Sequence, residues 1–301
     1  MTQTPTPSVA TLVASPAATL PPPLVADIGA AIGASAPVAL AAGRAVDLNF
    51  ASGEPAATIA DRVRAMLTAA ASPVDVIVQP AAGRRKRLFL ADMDSTMIGQ
   101  ECIDELADFV GLKAEVSAIT ERAMRGELAF EPALRERVSL LKGLPLAVVD
   151  TIIAERLTLT AGGRTLVMTM RRHGAYTCLV SGGFTVFTGP IGGKVGFDEH
   201  RSNTLLLDGE RLAGRVAEPI LGRQAKLATL TELRDRFGLG QADTMAVGDG
   251  ANDLAMLQEA GLGVAFHAKP AVAAAAHARI DHGDLTALLF AQGYREDEWV
   301  R

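Results

Sequence analysis

The stretch LFLADMDSTMIGQE, residues 88–101, decides the fold of this 301-residue chain. Leu88-Phe89-Leu90-Ala91 is an apolar run too short for a helix, and it predicts a buried strand over 88–92. Asp92 and Asp94 follow at once. Carboxylates that close repel each other, and each loses hydration against a folded core, so a cation must compensate them.

Downstream, apolar residues recur at helical spacing over 101–110, 114–125, 131–141 and 147–156, with breaks at Gly111, Gly126 and Gly143-Leu144-Pro145. Strand character returns only at 177–180. One helix suffices to cross between parallel strands, so the surplus predicts a helical cap, residues 100–168, inserted in a core domain spanning 84–301. Strands at 244–247 and 262–266 then alternate with helices, one of them at 226–237. The fold class is therefore α/β, with a doubly wound parallel sheet. Residues 203–216 read instead as an antiparallel hairpin turning at Asp208-Gly209.

Open sheets of this kind bind ligands beyond the carboxyl ends of their strands. Three polar clusters fall at such ends: Asp92 and Asp94; Ser181, Gly182 and Gly183; and Asp249, Asn252 and Asp253. So many hard oxygen donors suit Mg²⁺, which keeps several waters and bridges readily to phosphate. Glycines 182, 183, 248 and 250 allow backbone amides close to a phosphate, and Lys226 adds a point charge. Lys226 opens a predicted helix, where the macrodipole disfavours a cation, which points to an anionic ligand.

Composition excludes several classes. The chain is 49% hydrophobic and 21% charged with a formal net charge of −5, so it is globular and carries no global positive field for nucleic acid or an anionic membrane. Two cysteines without CxxC spacing favour a reducing compartment, and the cytoplasm is expected. The amino terminus lacks a basic n-region and is interrupted by prolines, and no stretch reaches the roughly 20 apolar residues of a membrane span. Residues 1–83 predict a small α+β domain, with strands at 37–40 and 74–78, a helix at 58–69, and a flexible first 20 residues. Arg84-Arg85-Lys86-Arg87 reads as a solvated linker. Gly193-Lys194 lacks the remainder of a P-loop, and five histidines without ligand spacing argue against zinc.

The motifs together resemble the haloacid dehalogenase-like phosphotransferases: DMDST fits their D-x-D-x-T signature, Ser181 their second motif, Lys226 their third and GDGAND their fourth, in order. Over residues 84–290 the chain is similar to the phosphoserine phosphatase family, through DMDSTMIGQECIDELAD, ERAMRGELAFEPALRERVSLLKGLP, LVSGGF and VGDGANDLAMLQEAGLGVAFHAKP. The resemblance implies Mg²⁺-dependent hydrolysis of O-phospho-L-serine through an aspartyl-phosphate, the last step of serine biosynthesis. Asp92 would be the nucleophile and Asp94 the general acid and base. Mg²⁺ would be held by Asp92, the Asp94 carbonyl and Asp249, with Asp253 and Asn252 in support. Ser181, Gly182 and Lys226 would bind the phosphoryl oxygens. Glu101 would face the serine ammonium and Arg137 its carboxylate, with Met124 and Phe130 closing the apolar side. The same resemblance suggests an ACT-like fold for the amino-terminal domain, whose role is open among sensing, homodimerisation and stabilisation.

Taken singly, these residues have plainer readings. A lone D-x-D caps helices or fills turns, Glu101 suits a first helical turn, Arg137 suits a solvated helix face, and Met124 and Phe130 suit a core. A receiver-like phosphate-carrying module shares the acidic cluster and the lysine, but it needs neither cap nor second carboxylate. A phosphatase for another small phosphomonoester is disfavoured only by Glu101, Arg137 and the cap residues.

Overall fold

The computed structural model describes residues 5–124 and 127–301, apart from the side chains of Glu121, Ala123 and Met124. The amino-terminal unit runs β1 (Thr6–Ala14), α1 (Pro22–Ile32), β2 (Val38–Ala41), β3 (Ala45–Ser52), α2 (Ala56–Ala69) and β4 (Val74–Pro80). Its four strands pair antiparallel in the order β2-β3-β1-β4. This is the βαββαβ arrangement of a ferredoxin-like unit, in keeping with an ACT-like fold. Proline in its first turn and Gly33 at φ +66° frame α1, the former where no backbone N–H is needed and the latter where a left-handed residue ends the helix. The expected flexibility of the first 20 residues does not hold over residues 6–14: Thr6–Ala14 is a strand between β3 and β4, and Val9, Ala10 and Leu12 are fully buried.

The sheet buries both faces. Ala10, Leu12 and Ala14 pack with Ile28, Ile59 and Val63 beneath the two helices. Val13, Ala45 and Ile77 join a cluster that includes Leu288 and Phe290 of the core domain.

The basic run between the domains is likewise not a solvated linker. Arg84 pairs with Asp47 at 2.6 Å and donates to the carbonyls of Phe290 and Ala291 and to the Thr11 hydroxyl. Arg85 lies 4.2 Å from the Tyr294 ring centre and pairs with Glu298. Lys86 is buried and donates to the carbonyls of Gly83 and Ala242. Arg84 fastens the small domain to the large one, and Arg85 and Lys86 tie the connecting segment to the large domain through Glu298 and Ala242, while the Arg87 side chain is exposed.

The core domain begins with β5 (Leu88–Ala91), then sends the chain into helices α3 (Cys102–Phe109), α4 (Lys113–Met124), α5 (Phe130–Leu140), α6 (Val148–Glu155) and α7 (Gly163–Arg172). It returns as β6 (Tyr176–Phe184), α8 (Thr185–Val195), β7 (Glu199–Asn203), the hairpin β8 (Leu205–Asp208) and β9 (Arg211–Val216), and α9 (Arg223–Arg236). The chain finishes with β10 (Thr244–Gly248), α10 (Leu254–Glu259), β11 (Leu262–Phe266), α11 (Pro270–Ala275), β12 (Ala278–Ile280) and α12 (Ala287–Ala291). Six strands form one parallel sheet in the order β12-β11-β10-β5-β6-β7. Alternation along β5 explains why both faces are covered: Phe89 and Ala91 enter one hydrophobic cluster, Leu88 and Leu90 the other.

Counted from β5, the sheet order reverses between β5 and β10, the switch point at which open α/β sheets hold ligands. The entry to the cap and its exit are tied there by Gly99 N–H donating to the Thr158 carbonyl and Thr160 N–H to that of Met97. The hairpin turns where expected, with Gly209 at φ +60°, and exchanges backbone hydrogen bonds with Gly143, Leu144 and Leu146 at the foot of the cap.

Candidate active site

The site grows from the ends of β5, β6 and β10 and the first turn of α9. Asp92 is buried at the switch point and still donates its own N–H to the Val247 carbonyl across the sheet. Its Oδ1 accepts the Met93 N–H at 2.7 Å and lies 2.7 Å from Lys226 Nζ, which leaves Oδ2 free of both contacts. Lys226 Nζ also donates to Asp253 Oδ1 at 2.6 Å. Burial alone would depress the ammonium, yet Asp253 and Asp92 hold it above its ordinary value. Sequence reasoning selected both Lys226 and Asp253 but missed that they pair.

Oxygen atoms of Asp92, Asp249 and Asp253 lie within 4.8 Å of one another. Burial, reinforced by the Asp253 charge, drives the Asp92 carboxyl well above the usual carboxylate range despite Lys226. Asp249 is raised by burial and then by Asp253. A single ammonium among these acids leaves negative charge uncompensated, and an oxygen-seeking divalent cation would relieve it. The donor set therefore fits such an ion.

Asp94 takes no part in that triangle. Its Oδ1 accepts the Cys102 N–H at 2.9 Å and its Oδ2 the Ser181 hydroxyl at 3.1 Å, while burial raises its pKa. Ser181 in turn accepts the Gly183 N–H at 2.8 Å. A Cβ added at Gly183 would stand 3.0 Å from both Asp94 Oδ2 and Ser181 Oγ, so the glycine is required for this approach. Thr96, which sequence reasoning quoted within DMDST but gave no role, donates to Asp249 Oδ1 at 3.0 Å. Spacing alone could have found it, as the residue that ties the loop after β5 to the loop after β10. Asn252 folds over Gly250 in that second loop.

The cap supplies the other predicted residues. Phe130 opens α5 and its ring rests on the rim: a Cβ at Gly182 would meet it at 3.3 Å and one at Gly222 at 3.2 Å. Glu101 stands at the N-cap of α3 without capping it, because its carboxylate accepts the Ser95 hydroxyl at 2.6 Å. Ser95 holds φ at +54°, in the left-handed region that β-carbon sterics disfavour. Desolvation, then the Asp94 charge, pushes the Glu101 carboxyl up to about 7. Arg137 is half-buried and donates to Thr120 and to the Ala133 carbonyl, and burial lowers its pKa against the pull of Asp104 and Glu101. The Met124 side chain lies outside the described residues.

A family model described as haloacid dehalogenase-like hydrolase matches residues 89–258. The phosphoserine phosphatase of Archaeoglobus fulgidus is 42% identical over 217 residues, 71% of this chain and 63% of that protein. Phosphoserine phosphatase SerB2 of Mycobacterium tuberculosis is 44% identical over 232 residues, 76% of this chain and 56% of that protein. The chain thus spans less than two thirds of the length of either relative. Among solved structures, a haloacid dehalogenase family hydrolase of Salmonella enterica superposes with a TM-score of 0.85 at 28% identity, over 97% of this chain and 99% of that one. An unliganded probable phosphoserine phosphatase of Vibrio cholerae gives 0.77 at 31% identity, over 97% and 88% of the two chains. A phosphoserine phosphatase captured as a phospho-aspartyl intermediate analogue gives 0.63 at 40% identity, over 68% of this chain and 98% of that one.

Proposed function

Because the chain belongs to the haloacid dehalogenase-like hydrolase family, we propose that it hydrolyses O-phospho-L-serine to serine and phosphate with Mg²⁺ bound at the acidic cluster. The observation that carries this reading is the meeting of Asp92, Asp249, Asp253 and Lys226 at the switch point, beside the rim on which Phe130 of the cap rests. Asp92, Asp249 and the Asp94 carbonyl would hold the cation, with Asp253 and Asn252 in support. Bound there, the ion neutralises phosphoryl oxygens and lets a carboxylate approach phosphorus.

Asp92 Oδ2 attacks phosphorus in line, the bond to the serine oxygen breaks, and an aspartyl-phosphate forms. Asp94 gives its proton to the leaving serine oxygen, which its raised pKa favours. The carboxylate so formed then takes a proton from water as that water displaces Asp92 and releases phosphate. Ser181, the Gly182 backbone and Lys226 cradle the phosphoryl oxygens throughout. Lys226 does so while keeping Asp92 turned toward them.

Substrate choice rests on the cap. Glu101 takes the ammonium, the Arg137 fork takes the carboxylate, and Met124 and Phe130 close the apolar side. The reading places the protein in the cytoplasm, which two buried free cysteines support. No helix among the described residues is long and apolar enough to cross a membrane. A panel of phosphomonoesters offered with Mg²⁺ tests the proposal: O-phosphoserine is expected to be hydrolysed best, and a preference for sugar phosphates would overturn the substrate.

A further inference from the structure

A cavity of about 290 Å³, lined by none of the residues of the acidic cluster, opens between the two domains. One wall is the end of α2 and the start of β4, and the other is β12 with the loop that follows it. Its floor is apolar, from Leu67, Val74 and Val76. Each domain contributes one arginine: Arg64 from α2 and Arg279 from β12.

These arginines act on each other. Burial, followed by the charge of Arg279, lowers the Arg64 guanidinium below its ordinary value, against the pull of Asp61 and Asp281. The partner of Arg64 is Asp61, whose side chain is 75% exposed, and such a surface pair is readily screened. Arg279 Nε lies 2.8 Å from Asp281 Oδ2, yet this buried nitrogen has no hydrogen-bond acceptor in line. A buried N–H left unmatched calls for an acceptor.

The cavity walls are held, not loose. The buried Asp75 carboxylate accepts the N–H groups of Asp281, His282 and Gly283 at 2.8, 3.2 and 2.7 Å, so the loop of one domain is pinned to a strand of the other. At the turn into β4, Ala71 is kept at φ +47°, a left-handed conformation that tertiary structure must impose on a non-glycine residue.

We infer that this cavity binds a small organic or inorganic anion, a carboxylate or phosphate held between Arg64 and Arg279. The volume sits at the small end of ligand sites, which suits a molecule of a few carbons and not a nucleotide. Since the two guanidiniums come from different domains, bound anion relieves their repulsion and strengthens the docking of the domains. This site is independent of the reaction proposed above.

The test is calorimetric titration of the full chain with citrate and, separately, inorganic phosphate, alongside chloride at matched ionic strength, with thermal unfolding followed in parallel. Saturable binding and a raised unfolding midpoint are expected with at least one of the two anions and not with chloride, and they separate the carboxylate from the phosphate source. Arg279→Ala and Arg64→Gln should each weaken that binding at least about tenfold. Arg279 is the more exposed of the two, so its variant serves if Arg64→Gln does not fold. Phosphate binding that survives unchanged in the arginine variants would belong to the acidic cluster and would overturn the inference, as would the absence of saturable binding by either anion.

Discussion

Lys226 Nζ and Asp92 Oδ1 stand 2.7 Å apart in the buried floor of the site, and Asp253 shares the same ammonium. The lysine is thereby the counter-charge that lets two acids be buried together, and in the proposed reaction it also binds phosphate. Lys226→Ala removes both at once. It is expected to lower kcat/KM by more than about a hundredfold, as the loss of preorganised transition-state stabilisation does. It should also destabilise the metal-free protein by about 3 kcal/mol, because breaking a buried ion pair leaves unmatched charge. Steady-state kinetics and denaturant unfolding check the two effects separately.

Asp92→Asn and Asp94→Asn should differ in kind. The first replaces the attacking carboxylate and is expected to abolish turnover. The second keeps the nucleophile but removes the proton donor and acceptor, so formation and breakdown of the phosphoenzyme should each slow by about a hundredfold or more. Rapid-quench experiments that follow bound and free phosphate would read the two steps apart. Near-normal activity in Asp92→Asn would remove that residue from its assigned position.

Glu101 gives the reaction a pH signature. Its carboxyl is pushed up to about 7, so it is neutral below that pH and charged above it. Only the charged form attracts an ammonium. KM for O-phosphoserine should therefore rise as pH falls through neutrality, while kcat changes less. Bound divalent cation offsets Asp94 and Asp249, two of the charges that raise Glu101, and should move the midpoint downward. KM profiles of Glu101→Gln should lack this component, which separates it from titration of the substrate phosphate.

Chelation of divalent ions should remove activity reversibly, with Mg²⁺ restoring it. Added Mg²⁺ should also raise the unfolding midpoint of the unliganded protein, since it relieves the repulsion among Asp92, Asp249 and Asp253. Asp249→Asn should blunt that rise, measured by differential scanning calorimetry at fixed ionic strength.

Arg84→Met should destabilise the protein by about 3 kcal/mol, because Asp47 is left buried without its partner. Chemical denaturation followed by two probes, one in each domain, should show the small domain releasing earlier than in the parent chain.

The failure at Arg84 illustrates where sequence reading stops. Four consecutive cations look solvated when only their neighbours are considered, and Arg85 and Arg87 are exposed, but Arg84 and Lys86 find acceptors at Thr11, Asp47, Ala242, Phe290 and Ala291. The strand at Thr6–Ala14 was hidden for a related reason. Pro5 and Pro7 suggest an irregular tail, yet a proline at the very start of a strand costs little, and the run from Val9 to Val13 is apolar enough to be central. The parallel sheet, by contrast, is written locally in short apolar runs that end at polar clusters. Asp92, Asp94, Ser181, Lys226, Asp249 and Asp253 are legible because each sits at a strand end or helix start whose spacing is fixed by few residues. The contact of Phe130 with Gly182 and Gly222 is not legible, since it depends on how an inserted domain closes over the sheet.

That contact carries a consequence for evolution of the pocket. A benzene ring rests on two bare backbone positions, and a methyl group at either glycine would stand 3.2–3.3 Å from it, so the ring would have to give by a few tenths of an ångström. The aromatic ring and the two side-chain-free residues beneath it therefore constrain one another's size.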